Sequence, residues 1–93
     1  MSELTRADAP VRRSDVYSVE VDGEAVLLQE TDDELHRLNV TAALVWSLLD
    51  GVTTLEAIAR DISEELELPF ARVVDDTVHI ANQLRAQHLV QVP

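Results

Sequence analysis

The residues able to do chemistry in this chain are few and scattered. Its histidines are His36, His79 and His88. None shares with another histidine or an acid a spacing, such as H-E-x-x-H, that turns two ligands onto one helix face, so no metal site is expected. Ser14, Ser18, Ser47 and Ser63 are the hydroxyls available for nucleophilic attack, and none stands in a glycine-flanked elbow. With glycine only at positions 23 and 51, a phosphate-cradling loop is missing too. Neighbouring acids occur at Asp32-Asp33, Glu64-Glu65 and Asp75-Asp76. On loops or exposed helix faces such pairs are solvated, whereas a general acid needs the desolvation that shifts its pKa. The expectation is a protein with no catalytic residues and no cofactor.

Size and composition narrow the classes that remain. Ninety-three residues, 46% of them hydrophobic, allow one globular domain near the lower end of what folds on a single core. The opening "MSELTRADAPVRR" lacks periodicity, so residues 1–14 are expected to be a flexible N-terminal tail and 15–93 the folded domain. Cysteine is absent, which removes disulfides and thiolate metal sites and fits a reducing cytoplasm. Arg12-Arg13 is followed by "SDVYSVEVDGE" rather than an apolar run, so an export signal is not indicated, and no segment approaches the ~20 apolar residues of a membrane span. Eighteen acids against seven arginines, with no lysine, give a net charge of -11. That balance opposes nucleic acid and anionic membranes as partners, because both bind through cations.

The elements that must position any functional surface are legible. "YSVEVDGEAVLL" alternates on both sides of Asp22-Gly23, the pair preferred where a two-residue hairpin turn needs two positive φ angles. It sets Val21 opposite Glu24, Val19 opposite Val26 and Tyr17 opposite Leu28, so Tyr17, Val19, Val26 and Leu28 share a face. After the turn "ETDDE", "LHRL" fits a third antiparallel strand, with Leu35 or Leu38 inward depending on loop length. As the last strand of the sheet it would be an open edge.

Three helical patterns follow. The first spans about Val40 to Leu49, capped by Asn39 or Thr41 and stopped by Gly51. It is apolar on nearly every side and carries Trp46, whose simplest reading is core packing. The second opens on a Thr53-x-x-Glu56 capping box and buries Leu55, Ile58, Ala59, Ile62 and Leu66. The third runs from about Pro69 to His88 with two apolar rows, one of Val73, Thr77, Ile80 and Leu84, the other of Val74, Val78, Ala81 and Arg85. That stripe is wider than one packing contact needs, so one row can face the core and the other a partner. "LVQV" closes the chain as a short extended segment. Three strands then three helices make an α+β fold.

These residues resemble a family. "LNVTAALVWSLLDGVTTLEAIARDISEELEL", followed by "DDTVHIANQLRAQHLV", is similar to the PqqD-like proteins, the leader-peptide recognition elements of ribosomally made, post-translationally modified peptides (RiPPs). Leu38-Asn39, Thr41-Ala42-Ala43, Trp46, Leu48-Leu49-Asp50-Gly51 and Thr54-x-x-x-Ile58-Ala59 carry the match, which covers roughly Tyr17 to Val92. The resemblance implies a winged-helix-like domain, a three-stranded antiparallel sheet followed by three helices. It implies a non-catalytic adaptor that takes a precursor's leader as an added strand on the third strand, beside the third helix, and presents it to a modifying enzyme or leader protease.

By position it implies a peptide-binding surface of Leu35, His36, Arg37 and Leu38 on the strand, with Val74, Val78, Ala81, Asn82 and Arg85 on the helix. The chain departs from its relatives at His88, where a small residue, often glycine, is common, and at Thr77 and Ala81, where larger apolar residues are. Two other classes fit the same elements. A winged-helix DNA-binding regulator would need a basic recognition helix, yet Arg72 and Arg85 share the third helix with Asp75 and Asp76. A small dimerisation subunit would turn the apolar cleft on itself.

Overall fold

The computed structural model of the chain describes residues 3–30 and 33–93. Met1 and Ser2 of the expected tail, and Thr31 and Asp32 of the turn before the third strand, lie outside the described residues. The elements in chain order are β1 (Val11–Arg12), β2 (Val16–Val21), β3 (Glu24–Gln29), β4 (Glu34–Leu38), α1 (Val40–Leu48), α2 (Leu55–Leu66), α3 (Phe70–Ala86) and β5 (Val90–Gln91). β2, β3 and β4 form an antiparallel sheet in that order, and β1 pairs with β5 in a separate two-stranded ribbon.

The hairpin forms because Asp22 and Gly23 both take positive φ, 54° and 84°, which sets Val21 opposite Glu24, Val19 opposite Val26 and Tyr17 opposite Leu28. β3 then pairs with β4 so that Leu27 meets His36 and Ala25 meets Leu38. This register resolves the third strand. Leu38 is buried with Ala25 and Leu27, while Leu35 stands on the opposite, exposed face with Tyr17 and Val19. His36 points inward as well, since it opposes the buried Leu27.

Among the helices, α1 occupies the centre. Asn39 caps it by accepting a hydrogen bond from Ala42 N at 2.9 Å. Ala43, Val45 and Trp46 are buried, and Leu44 and Leu48 pack partly buried against the same core. A helix covered by a sheet and by other helices needs little polar face, which accounts for its composition. α2 starts one residue later than its capping-box pattern suggests. Thr54, not Thr53, accepts from Ala57 N at 3.2 Å, because Thr53 is taken by Asp50. Leu55, Ile58, Ala59 and Ile62 are buried, whereas Leu66 is exposed.

The structure differs most from the sequence reading before Ser14. Residues 4–12 lie against the helices rather than standing away as a tail. Leu4 is buried, and its backbone N–H and C=O are both held by the Asn82 side chain, at 2.8 and 3.1 Å. The carbonyls of Asp8 and Arg6 accept from Leu55 N and Glu56 N, two of the first-turn N–H groups that α2 cannot satisfy internally. Arg6 pairs with Glu56 at 2.7 Å, and Arg60 lies 4.4 Å over the ring of Phe70. Gly51 N donates to Pro10 O where β1 passes, and with φ +81° a Cβ at Gly51 would sit 3.1 Å from Val11 Cβ. Aperiodic sequence is what such a strap requires, since it pairs through backbone rather than through one apolar face.

Candidate functional site

Which backbone groups β4 offers to a partner follows from the hairpin. A two-residue loop closes on a hydrogen-bonded pair, here Val21 and Glu24, and such pairs alternate along an antiparallel ladder. Glu24, Val26 and Leu28 therefore bond toward β2, and Ala25, Leu27 and Gln29 toward β4. Their partners Leu38, His36 and Glu34 use their backbone groups on β3. The N–H and C=O groups of Leu35 and Arg37 are left pointing away from the sheet, on the side of β4 that no described strand pairs. An extended peptide has four hydrogen bonds available there.

Beside this edge lies a groove. Leu38 and Asn39, at the end of β4, Ala42 of α1, Ile80, Gln83 and Leu84 of α3 and its C-cap residue Gln87 line a hollow of about 360 Å³. Its walls are mixed: aliphatic from Leu38, Ile80 and Leu84, amide from Asn39, Gln83 and Gln87. A strand added to β4 alternates its side chains. Those opposite Leu35 and Arg37 lie on the outward face of the sheet, and the intervening ones turn inward past His36 toward this hollow.

The sequence-predicted surface divides in two. Leu35, His36, Arg37 and Leu38 are together on the edge, and Arg37 and Leu38 also line the groove. Arg37 is exposed and reaches Glu24 at 3.9 Å. His36 is largely covered, with Nε2 3.5 Å from Glu34 Oε2 and without a hydrogen-bond partner among the described residues.

The helix residues fall elsewhere. Val74 and Ala81 are buried in the core, Val78 packs partly against it, and Asn82 holds Leu4. Arg85 lines a different hollow, with Glu3, Arg13 and Val90. The groove is built instead by the C-terminal end of the other row, Ile80 and Leu84, and by Gln83 and Gln87, which an apolar-stripe argument passes over. The signal available in the sequence was that two amides flank Leu84 on a helix otherwise read as apolar stripe and acidic face.

No group of three or more His, Cys, Asp or Glu is placed to hold a metal ion among the described residues. Among the described residues, the carboxylate whose pKa moves far is Asp50, lowered to about 2 from 3.8 by the backbone N–H groups of Thr53 and Val52 and by the Thr53 hydroxyl. Those bonds, at 2.7 to 2.9 Å, close the turn between α1 and α2. Trp46 is buried and lines neither hollow beside α3. No helix among the described residues is long and apolar enough to cross a membrane.

The family model for PqqD, coenzyme PQQ synthesis protein D, matches residues 24–90. The chain belongs to the PqqD family. The match runs from the first residue of β3 to the first of β5 and so takes in the edge strand and the groove. No curated protein matches. Two solved structures share the fold. One is TbiB1 in complex with the TbiA(beta) leader peptide, 25% identical with a TM-score of 0.78 over 87% of this chain and 94% of that one. The other is lasso peptide synthetase B1 complexed with the leader peptide, 22% identical with a TM-score of 0.77 over 89% of this chain and 98% of that one.

Proposed function

We propose that this PqqD-family chain is a non-catalytic adaptor of RiPP biosynthesis in the cytoplasm. It binds the leader segment of a ribosomally synthesised precursor peptide by strand addition to β4, in the groove beside α3, and presents it to a modifying enzyme or leader protease of the same pathway. The observation that carries the reading is the unpaired backbone of Leu35 and Arg37 directly beside the hollow between Leu38 and Ile80. An open edge alone is a hazard for a small protein, and an edge beside a shaped cleft is a peptide site. The fold shared with two proteins solved holding leader peptides supports the same reading.

Main-chain pairing supplies affinity in this arrangement, and the inward-turned leader residues supply specificity. The cleft admits aliphatic or aromatic side chains between Leu38, Ile80 and Leu84, with Gln83 and Gln87 offering hydrogen bonds at the rim. Titration of a fluorescent leader peptide, taken from the precursor encoded beside this chain, tests the proposal. Saturable binding is expected, weakened at least about tenfold by Ile80→Asp, which sets an unpaired charge against the ligand's apolar side chain. Undiminished binding to a folded Ile80→Asp protein would exclude this groove.

A further inference from the structure

The sheet has two edges, and β4 is only one of them. The other is β2, six residues long. The ladder alternation that frees Leu35 and Arg37 on β4 frees Ser18 and Glu20 here, because Tyr17, Val19 and Val21 spend their backbone groups on Leu28, Val26 and Glu24. Val16 N is already used, donating to Arg13 O at 3.3 Å. Ser18 and Glu20 thus hold two N–H and two C=O groups that point away from the sheet, on a side that no described strand pairs. Both residues are exposed although they lie on the helix side, so the helices stop short of β2. Sheet edges are ordinarily guarded by lysine, proline, a bulge or brevity. "VYSVEV" contains neither guard residue and pairs with β3 one to one, without a bulge. Its outward residues Tyr17, Val19 and Val21 are 57%, 63% and 57% exposed, at positions where a solvated antiparallel sheet ordinarily carries polar side chains.

We infer that β2 is a self-association edge: two copies of the chain pair β2 with β2, antiparallel about a two-fold axis at Val19, into one six-stranded sheet with a β4 edge free at each end. Hydrogen bonding, side-chain pairing and charge each select a second copy in this register. An axis at Val19 sets Ser18 opposite Glu20 of the second copy and uses all four outward backbone groups of each strand. An axis at Ser18 would need the Val16 N–H that Arg13 O already holds, and an axis at Glu20 would set two carboxylates face to face. With the axis at Val19, Val19 meets Val19 and Tyr17 meets Val21 on the outward face, the β-branched and aromatic pairs that stabilise sheets. Val16 then stands opposite Asp22, so the turn of each copy, with Asp22 and Glu24, lies at the end of the other strand where Arg12 and Arg13 enter, Asp15 taking part of the Arg13 charge at 3.1 Å. The net charge of -11 on each copy opposes association at long range, and salt screens that repulsion beyond ~8 Å at physiological ionic strength. In the leader-binding reading of β4 the dimer carries two leader edges at opposite ends of the sheet, but the pairing of β2 does not depend on that reading.

The test uses the full chain. Sedimentation velocity at about 0.15 M NaCl is expected to show the mass rising from monomer toward dimer between about 5 and about 500 µM, the range suited to an interface of one strand pair. Because the chain has no cysteine, a single introduced thiol reports the register. Val19→Cys apposes two thiols across a non-hydrogen-bonded pair, where a Cα separation of about 4.5 Å lies within disulfide reach, and oxidised glutathione is expected to convert it to a covalent dimer. Val21→Cys, on the same face and as exposed as Tyr17, stands opposite Tyr17 and is expected to cross-link at least about tenfold less. Val19→Glu opposes two carboxylates and is expected to weaken the dimer at least about tenfold, while leader affinity within about twofold of wild type reports an intact fold. A monomer throughout the concentration range, or equal cross-linking by the two cysteine variants, would overturn the inference. So would a dimer that the leader peptide dissociates, since the contact would then use β4. A chain that dimerises through β2 yet binds no leader keeps this interface and removes the proposed function instead.

Discussion

The side-chain amide of Asn82 donates to Leu4 O and Val78 O and accepts from Leu4 N, so a single residue secures both the N-terminal strap and its own helix. By sequence position this asparagine resembles a ligand contact, because nothing local distinguishes a carboxamide that reads a foreign backbone from one that reads its own. Asn82→Ala is expected to lower stability by about 1–3 kcal/mol in urea unfolding, from two lost strap bonds and a buried backbone left unpaired. Leader affinity should hardly change.

Asp50 gives a pH test. Its folded pKa is depressed, so its contribution is complete above the ordinary carboxylate value of 3.8 and is lost as pH falls toward about 2. Urea midpoints of wild type and Asp50→Ala should therefore differ at about pH 5 and draw together as pH falls through about 2. Glu67 ends α2 in a left-handed conformation, φ 54°, with a negative charge at the negative end of the helix. Glu67→Gly relieves both and should raise stability by about 0.5–1 kcal/mol, read as a higher melting temperature. His88 takes φ 60°, a conformation that glycine adopts without the steric cost of a side chain.

At the scale of elements, what was legible depended on whether local chemistry or tertiary packing decides. The hairpin and the boundaries of α1 and α3 could be read because turn residues and caps act within a few positions. The register of β4 could not be read, since it depends on the loop that precedes it, and one residue of slip exchanges Leu35 for Leu38. The row of α3 that lines the groove differs from the one an apolar-stripe argument picks for a related reason. Two apolar rows compete for the core, and the strap, aperiodic and so invisible as structure, seats Leu4 on Asn82 beside the second row, while Ile80 and Leu84 at the end of the first line the groove. The ladder alternation now permits a sharper experiment than a side-chain change. Arg37 N–H points away from β3, so Arg37→Pro deletes a hydrogen bond that an added strand would use while sparing the sheet, as edge strands allow. His36→Pro deletes one that joins β3 to β4. Arg37→Pro is expected to fold cooperatively and to lose leader binding at least about tenfold, whereas His36→Pro is expected to lose stability by about 3 kcal/mol or more. Leader binding retained by Arg37→Pro would remove strand addition at this edge.

Taken as a whole molecule, a winged-helix-like topology is shared by proteins with opposite electrostatic needs, so shape alone leaves the partner open. Charge separates them. A regulator reading DNA neutralises phosphates with cations on its recognition helix, and α3 here carries Arg72 and Arg85 against Asp75 and Asp76, within a chain of net charge -11. The groove beside α3 is edged by amides and aliphatics with Arg37 as its one arginine, and that guanidinium lies 3.9 Å from Glu24. A leader segment has a backbone to satisfy and apolar side chains to shelter, and this surface offers both. Titration of labelled duplex DNA at low salt, where phosphate contacts are strongest, is therefore expected to leave fluorescence anisotropy unchanged, while the leader peptide saturates under the same conditions. A DNA signal that weakened steeply with added salt would reverse the assignment, because only counterion release from phosphate contacts produces that slope.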